Sequence, residues 1–316
     1  MHQFRTVLMA VALLLVGTAA VLEAGAPASK PQGQIRISVR VQAESPDPAR
    51  NAFEVTMDKA PARIVRTLTP ADPQMILLVL DLSGDLGSIE PAKDAMIAEI
   101  EKLPPAAYVA VLRAQDELSV LADPTSDRAA VADAIRNLNI SGRPGLLETL
   151  DPVERLADAV GRKAQVRISV LFVTDGNVAD YREDFSNPVI NSSDPHDLSR
   201  RFPEALIQEK ISKIHGLLAA RQTPLHIVHI AYRTDRLNEA YQNGLEQLTG
   251  QMAGSAAFCR SRADISDAIH RAFRAIASEY VLILAVPENS SGTPQFQVSA
   301  GESPLVYRTR MTLKEK

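Results

Sequence analysis

The sequence predicts an α/β protein: an open, mostly parallel, doubly wound sheet with helices on both faces, and a small antiparallel β-appendage made from both termini. Three observations predict this fold. Residues 75–80 are an unbroken apolar run, which is typical of a strand covered on both faces. Similar runs then alternate with segments whose apolar residues recur at helical spacing. Segments near both ends alternate apolar and polar residues, as half-buried strands do.

Composition limits the class of protein. The chain has 316 residues, with 38 acidic and 34 basic side chains and a net charge of -4. At roughly 150 residues per domain, this length suggests about two domains or one large domain with an appendage. The near-neutral balance argues against a nucleic-acid-binding protein. The single cysteine, Cys259, excludes an internal disulfide and a zinc site built on paired cysteines.

Residues 1–28 have the three parts of a secretory signal peptide: a short basic start, an apolar run and an exit of small residues. The apolar run is short for a permanent membrane span, although an uncleaved N-terminal anchor is the alternative. The sequence therefore predicts a secreted or periplasmic protein with no other membrane contact.

Each predicted element follows from a local pattern. Residues 29–70 hold short strands at 34–42, 53–57 and 64–68, and the first of these has apolar residues at alternate positions. Residues 75–287 hold alternating strands and helices; Pro104 and Pro105 end the first helix, and Ser126 or Asp127 is the candidate N-cap of the second. The predicted helices are 89–103, 127–138, 146–160, 198–220, 237–248 and 265–278, and the strands are 75–80, 108–112, 118–122, 166–173, 225–231, 256–259 and 281–286. Residues 288–316 add strands at 296–299 and 306–313.

Acidic residues follow two of the buried strands. Asp81, Ser83 and Asp85 come after the first, and Asp175 comes after the strand at 166–173. Ligands of open α/β sheets bind outside the carboxyl ends of the strands, so these side chains are expected to share one crevice. Close carboxylates repel each other and must share protons or hold a cation. Oxygen ligands without histidine or thiolate favour Mg²⁺, Mn²⁺ or Ca²⁺, and these four residues are the predicted metal site.

These motifs carry a resemblance. Residues 75–287 resemble a von Willebrand factor type A domain through Val-Leu-Asp-Leu-Ser-Gly-Asp at 79–85, through Leu-Phe-Val-Thr-Asp-Gly at 171–176 and through the order of elements. The flanks are similar to bacterial secreted proteins built around this domain. The resemblance implies a metal-ion-dependent adhesion site in which Asp81, Ser83 and Asp175 are ligands.

Two positions depart from the family pattern and make the site degenerate. Asp85 stands where a second serine is expected, and Pro144 stands where a threonine is expected. Proline offers no side-chain oxygen, so we expect weak binding of Mg²⁺, Mn²⁺ or Ca²⁺, or none. In the alternative interpretation, Asp81 and Asp175 only cap helices and brace loops. Because crowded carboxylates repel, the sequence also predicts that Asp175→Ala does not destabilise the metal-free protein.

The function predicted from these features is non-catalytic protein binding of the adhesion type outside the cytoplasm, assisted by a divalent cation, with an unidentified protein as the partner. The alternative is a phosphate-ester hydrolase of the haloacid dehalogenase type with Asp81 as nucleophile. Such enzymes place a second aspartate two residues later, where this chain has Ser83. The sequence contains no Gly-x-Ser-x-Gly, phosphate-loop or dinucleotide-binding motif.

Two further features are interpreted from position. His226 and His229 lie three apart in a predicted strand, so their side chains are expected on opposite faces and in structural roles. The long polar segment 180–203 leaves the same strand end as Asp175, and we expect it to contact a partner.

Overall fold

The computed structural model describes residues 33–42, 48–178, 203–286 and 292–313. The predicted signal peptide, 1–28, lies outside these ranges, as do residues 180–202 of the predicted loop 180–203. Within the described ranges, no helix combines the length and the apolar composition needed to cross a bilayer.

Strands and helices alternate along the middle of the chain, as predicted. The strands are β1 (Gly33–Val41), β2 (Glu54–Met57), β3 (Ala60–Pro61), β4 (Ile64–Leu68), β5 (Gln74–Asp81), β6 (Ala107–Arg113), β7 (Ser119–Thr125), β8 (Arg167–Thr174), β9 (Leu225–His229), β10 (Ser255–Phe258), β11 (Glu279–Val286), β12 (Phe296–Ser299) and β13 (Leu305–Tyr307). The helices are α1 (Leu86–Glu101), α2 (Arg128–Arg136), α3 (Leu146–Lys163), α4 (Pro203–Leu218), α5 (Arg236–Gln251) and α6 (Ala263–Ala277).

The central sheet has the strand order β10-β9-β8-β5-β6-β7, and β7 at one edge is its antiparallel strand. Helices cover both faces. Met75 and Leu77 of β5 pack into a core with α3, α4 and α5, whereas Ile76 and Leu78 pack into a core with α1, α2 and α6. Alternate residues of one strand therefore serve two cores, which explains the unbroken apolar run. The predicted open, mostly parallel sheet with helices on both faces is confirmed.

Two antiparallel sheets combine strands from both ends of the chain. One has the order β13-β1-β11-β4, and the other has the order β12-β2-β3. Their shared core includes Val39 of β1, Leu282 of β11 and Phe296 of β12, all fully buried. The predicted β-appendage from both termini is thus present, as two sheets.

The prediction that the last buried strand belongs to the central sheet is wrong. This strand is β11, which pairs antiparallel with β1 over eight residues, from Gly33 opposite Val286 to Arg40 opposite Glu279. The predicted domain range, 75–287, therefore includes one strand, β11, that belongs to the terminal sheets. An apolar run shows that both faces of a strand are covered, but it does not show which strand is its neighbour.

Buried polar contacts join the terminal sheets to the central sheet. Arg167, at the start of β8, is almost fully buried and donates hydrogen bonds to the carbonyl of Glu279 (3.1 Å) and to Gln74 Oε1 (2.8 Å). The carboxylate of Glu279 lies 2.7 Å from His226 Nε2 and accepts a hydrogen bond of 2.6 Å from Ser169 Oγ. These bonds fix the position of β11 against the amino ends of β8 and β9.

A second buried polar group lies on α3. Glu154 is fully buried, and within the described part of the chain neither of its carboxylate oxygens has a hydrogen-bond partner. Burial raises the pKa of Glu154 well above 4.5, repulsion from Asp158 adds to the shift, and Arg221 and Arg308 oppose it. Arg221 is bound to Asp151 at 2.7 Å, and Arg308 donates to the carbonyl of Arg221 at 2.6 Å. The protonated form of Glu154 is therefore the one that suits this site.

Glu154→Gln is expected to increase the free energy of unfolding, relative to the wild type, as the pH rises above 4.5. A carboxyl whose folded pKa is raised contributes stability that is complete below its unfolded pKa, near 4.5, and is lost as the pH rises through the folded pKa. Glutamine resembles the protonated acid and does not titrate. The free energy of unfolding of the variant should therefore increase relative to that of the wild type as the pH rises. Urea unfolding at several pH values measures the difference. Glu148→Gln, on an exposed part of the same helix, is the control, and equal pH profiles for wild type and Glu154→Gln would contradict the interpretation.

Candidate functional site

The candidate site lies where β5 and β8 end side by side. The two strands are parallel neighbours, and Asp81 and Thr174, their last residues, are opposite each other. The next residue, Asp175, donates its backbone N–H to the carbonyl of Asp81 at 3.2 Å. The sheet therefore places the two aspartates at one edge, as the sequence predicts.

Asp81 is a fully buried carboxylate with its own hydrogen-bond donors. Gly145, which precedes α3, donates its backbone N–H to Oδ1 at 2.8 Å, and the hydroxyl of Thr174 donates to Oδ2 at 2.9 Å. Burial raises the pKa of Asp81 to about 7; the two donors lower it, and the nearby Asp175 raises it. Asp81 thus joins the start of α3 to the ends of β5 and β8.

Asp175 holds the loop between β5 and α1. The backbone N–H of Ser83 donates to its Oδ1 at 2.9 Å, and the backbone N–H of Gly84 donates to its Oδ2 at 2.6 Å. A Cβ atom at position 84 would lie 2.7 Å from Asp175 Oδ2, so this close approach requires glycine. The carboxylate of Asp175 is a brace for the loop that carries Ser83, in agreement with the alternative interpretation of the sequence.

Asp85 does not join the other two carboxylates. It is the N-cap of α1, accepts hydrogen bonds from Gly87 N at 3.1 Å and Ser88 Oγ at 3.3 Å, and forms an ion pair of 2.8 Å with Arg262. The side chains of Asp85 and Arg262 are 63% and 64% exposed. The Gly87 N–H and the Arg262 guanidinium lower the pKa of Asp85, which keeps it ionised. The expected crevice of three carboxylates is reduced to two.

The loop that contains Pro144, where the family pattern has a threonine, supplies no side-chain oxygen from that position. Pro144 packs against the backbone of Gly176, where a Cβ atom would lie 2.9 Å from Pro144 Cβ. Thr149 lies inside α3, as the sequence predicts, and its buried hydroxyl donates to the carbonyl of Gly145 at 2.7 Å. Neither residue is a candidate ligand.

The histidines have separate structural contacts. His226 reaches Glu279 and Ser255, whereas His229 Nε2 donates to the carbonyl of Gly176 at 2.7 Å. Burial lowers the pKa of His229 to about 4, so its ring is neutral at physiological pH. His229 therefore supports the loop that carries Asp175. Cys259 is buried, and burial raises the pKa of its thiol to about 11.

Sequence reasoning missed three residues of the site. Thr174 stands next to Asp175 in the same motif, and its position at a buried strand end could have indicated a hydrogen bond to Asp81. Gly145 follows Pro144 and acts through its backbone N–H, which gives no side-chain signal. Arg262 lies far from Asp85 in the sequence, and only the packing of α6 beside α1 brings the two together.

The oxygens of the predicted carboxylate ligands already have partners within the chain. Both oxygens of Asp81 and both oxygens of Asp175 accept hydrogen bonds from the chain, and Asp85 is bound to Arg262. Among the described residues, no group of three or more acidic, histidine or cysteine side chains is placed to hold a metal ion.

Comparisons with known proteins give one family match and several similar solved structures. Residues 76–177 match the family model of the von Willebrand factor type A domain. No curated protein sequence matches the chain significantly. Similar solved structures include a von Willebrand factor type A protein from Catenulispora acidiphila, at 14% identity and a TM-score of 0.43, covering 86% of this chain and 74% of that chain.

Two further similar structures come from pili. The von Willebrand factor domain of the type V pili tip protein Mfa5 from Porphyromonas gingivalis is 14% identical, with a TM-score of 0.44, and covers 66% of this chain and 96% of that chain. The PilB minor pilin from Streptococcus sanguinis is 11% identical, with a TM-score of 0.44, and covers 66% of this chain and 62% of that chain.

Asp175→Ala is expected to lower the free energy of unfolding by about 2–4 kcal/mol, because it removes two hydrogen bonds to a charged group. This reverses the expectation drawn from charge repulsion, since the structure shows that Asp175 holds the Ser83 and Gly84 N–H groups. Urea unfolding at neutral pH measures the change. Asp85→Ala is the control, because Asp85 is an exposed N-cap, and it should lower the free energy of unfolding by less. An Asp175→Ala protein as stable as the wild type would support charge repulsion instead.

Asp81→Asn is expected to flatten the pH dependence of stability. The folded pKa of about 7 lies above the ordinary value of 3.8, so the wild type should lose stability as the pH rises through this window, by at most about 1.4 kcal/mol per pH unit. Asparagine does not titrate, so its unfolding free energy should not follow that slope. Denaturant titrations across the window measure both proteins. Asp85→Asn is a control of opposite sign, because the pKa of Asp85 is lowered; parallel curves for wild type and Asp81→Asn would exclude the raised pKa.

Proposed function

Because the chain contains a von Willebrand factor type A domain, we propose that it is an exported, non-catalytic module that binds a protein partner through the edge formed by the β5–α1 loop and the start of α6. The family match is the observation that carries this proposal. Export is proposed from residues 1–28, whose pattern is that of a signal peptide, and the proposed location is secreted or periplasmic.

The proposed edge combines a braced interior with an exposed surface. Inside, Asp81 and Asp175 hold the loops at the ends of β5 and β8. Outside, Leu86 at the start of α1 is 56% exposed, and it follows Asp85 with its ion pair to Arg262. An exposed leucine beside a charged pair on a rigid loop offers both an apolar contact and polar specificity.

The geometry favours binding over phosphoryl transfer. A nucleophilic aspartate must reach the phosphorus atom, but Asp81 is fully buried and both of its oxygens accept hydrogen bonds. A general acid must also stand beside the leaving group. Ser83 occupies the position two residues later, and Asp175 is held by two backbone N–H groups. These contacts support the non-catalytic role.

Leu86→Asp is expected to reduce partner binding by at least about tenfold, since burying one leucine side chain contributes about 1.5–3 kcal/mol. The full chain, wild type or variant, is immobilised and exposed to the extracytoplasmic fraction of its native host, and bound proteins are quantified by mass spectrometry. Val65→Asp is the matched control, because Val65 is 46% exposed on β4, in a different sheet. A protein lost with Leu86→Asp and retained with Val65→Asp supports the proposal; equal capture by both variants contradicts it.

A further inference from the structure

We propose that this von Willebrand factor type A domain needs no divalent cation, because hydrogen bonds within the chain and the guanidinium of Arg262 hold the loops of its binding edge. The inference deepens the proposed function: it concerns how the proposed edge is held and what the partner meets there. It rests on the partners that each carboxylate oxygen already has.

In the interior of the binding edge, the carboxylate of Asp81 already has hydrogen-bond donors. Asp81 is fully buried, and one donor serves each of its oxygens: Gly145 N–H on Oδ1 and the hydroxyl of Thr174 on Oδ2. Each donor occupies one acceptor position of its oxygen, so a divalent ion bound directly at Asp81 would have to share that oxygen with Gly145 or Thr174. A buried donor without an acceptor is costly, so these contacts compete with a cation.

The loop between β5 and α1 is also held from within the chain. Asp175 takes the backbone N–H groups of Ser83 and Gly84, one on each oxygen, at 2.9 and 2.6 Å. These two bonds tie the loop after β5 to the end of β8, which gives a carboxylate-to-backbone link between the two loops. The conformation of the loop is thereby fixed without a bridging ion.

The surface of the edge already carries a positive charge beside Asp85. The guanidinium of Arg262 is bound to Asp85 at 2.8 Å and lies so close to the backbone of Gly87 that a Cβ atom there would overlap it. A positive group therefore already neutralises the carboxylate that stands in place of the family's second serine. Like charges repel, so the same guanidinium disfavours a divalent cation beside Asp85.

The loop that contains Pro144 also lacks a ligand. Pro144 stands where the family's threonine would offer a hydroxyl, and it packs against Gly176. Mg²⁺ demands six oxygen ligands in near-octahedral geometry. Water can complete that shell, but Pro144 and Asp85 remove two of the direct ligands that would anchor the ion to the chain, and the partner meets Arg262 and Leu86 at this edge in place of a metal ion.

The test compares the full-length wild type with the double variant Asp85→Ser, Pro144→Thr, which restores the hydroxyl ligands of the family. Cation binding is read from Mn²⁺ paramagnetic resonance and from the melting temperature with MgCl₂ or with a chelator. We expect no bound Mn²⁺ and no difference in melting temperature for the wild type. We expect bound Mn²⁺ and a rise of at least about 2 °C for the double variant at saturating cation.

The control is Asp81→Asn added to the double variant, which should abolish the gained response and so locate the ion at this edge. Cation binding by the wild type that Asp81→Asn removes would overturn the proposal. A double variant that folds, by circular dichroism, but binds no cation would also overturn it, because Pro144 and Asp85 would then not be what excludes the ion. The readout is cation binding by the isolated chain, so it is separate from partner binding, which the Leu86 variant tests.

Discussion

The burial of β5 on both faces and along both edges is the constraint on which the rest of the structure depends. Every residue of this strand is buried, so two layers of helices and two neighbouring strands must cover it. Its carboxyl end is where the chain leaves the apolar interior, and Asp81 is the residue at that point. The location of the candidate site is therefore a consequence of the packing of one strand, because the loops at the ends of β5 and β8 have to meet there.

Two fully buried acids, Asp81 and Glu154, show how strongly the surroundings of a carboxyl decide its behaviour. Asp81 has donors on both oxygens and its pKa rises to about 7, whereas Glu154 has none among the described residues and its pKa rises well above 4.5. Desolvation is the largest cause in both cases. At Asp81 the two hydrogen-bond donors reduce the cost of burying the carboxyl. They also link the ends of β5 and β8 to the start of α3, and this link fixes the shape of the proposed binding edge.

The sequence predicts the periodic parts of the fold and the local parts of the site. Both depend on residues close together in the chain: the alternation within β5, and the aspartates that follow β5 and β8. It does not predict the neighbours of β11, because apolar runs show burial and not pairing. The sequence also does not predict that the side chain of Asp85 pairs with Arg262, because Arg262 lies far from Asp85 in the sequence. Charge counting alone treats Asp175 as a repulsive group, but its backbone donors make it a brace.

The pairing of β1 with β11 has a consequence for the order of folding. Ile37 lies opposite Leu282, so this sheet joins segments that are far apart in the sequence. Closing a long loop is entropically costly, and this pairing waits until the segment that contains Leu282 has been synthesised. The pairs between β5, β6 and β8 span shorter separations and can form earlier. During that interval both partners of β1 are still missing, which leaves an apolar strand with unpaired edges available for aggregation or for chaperones.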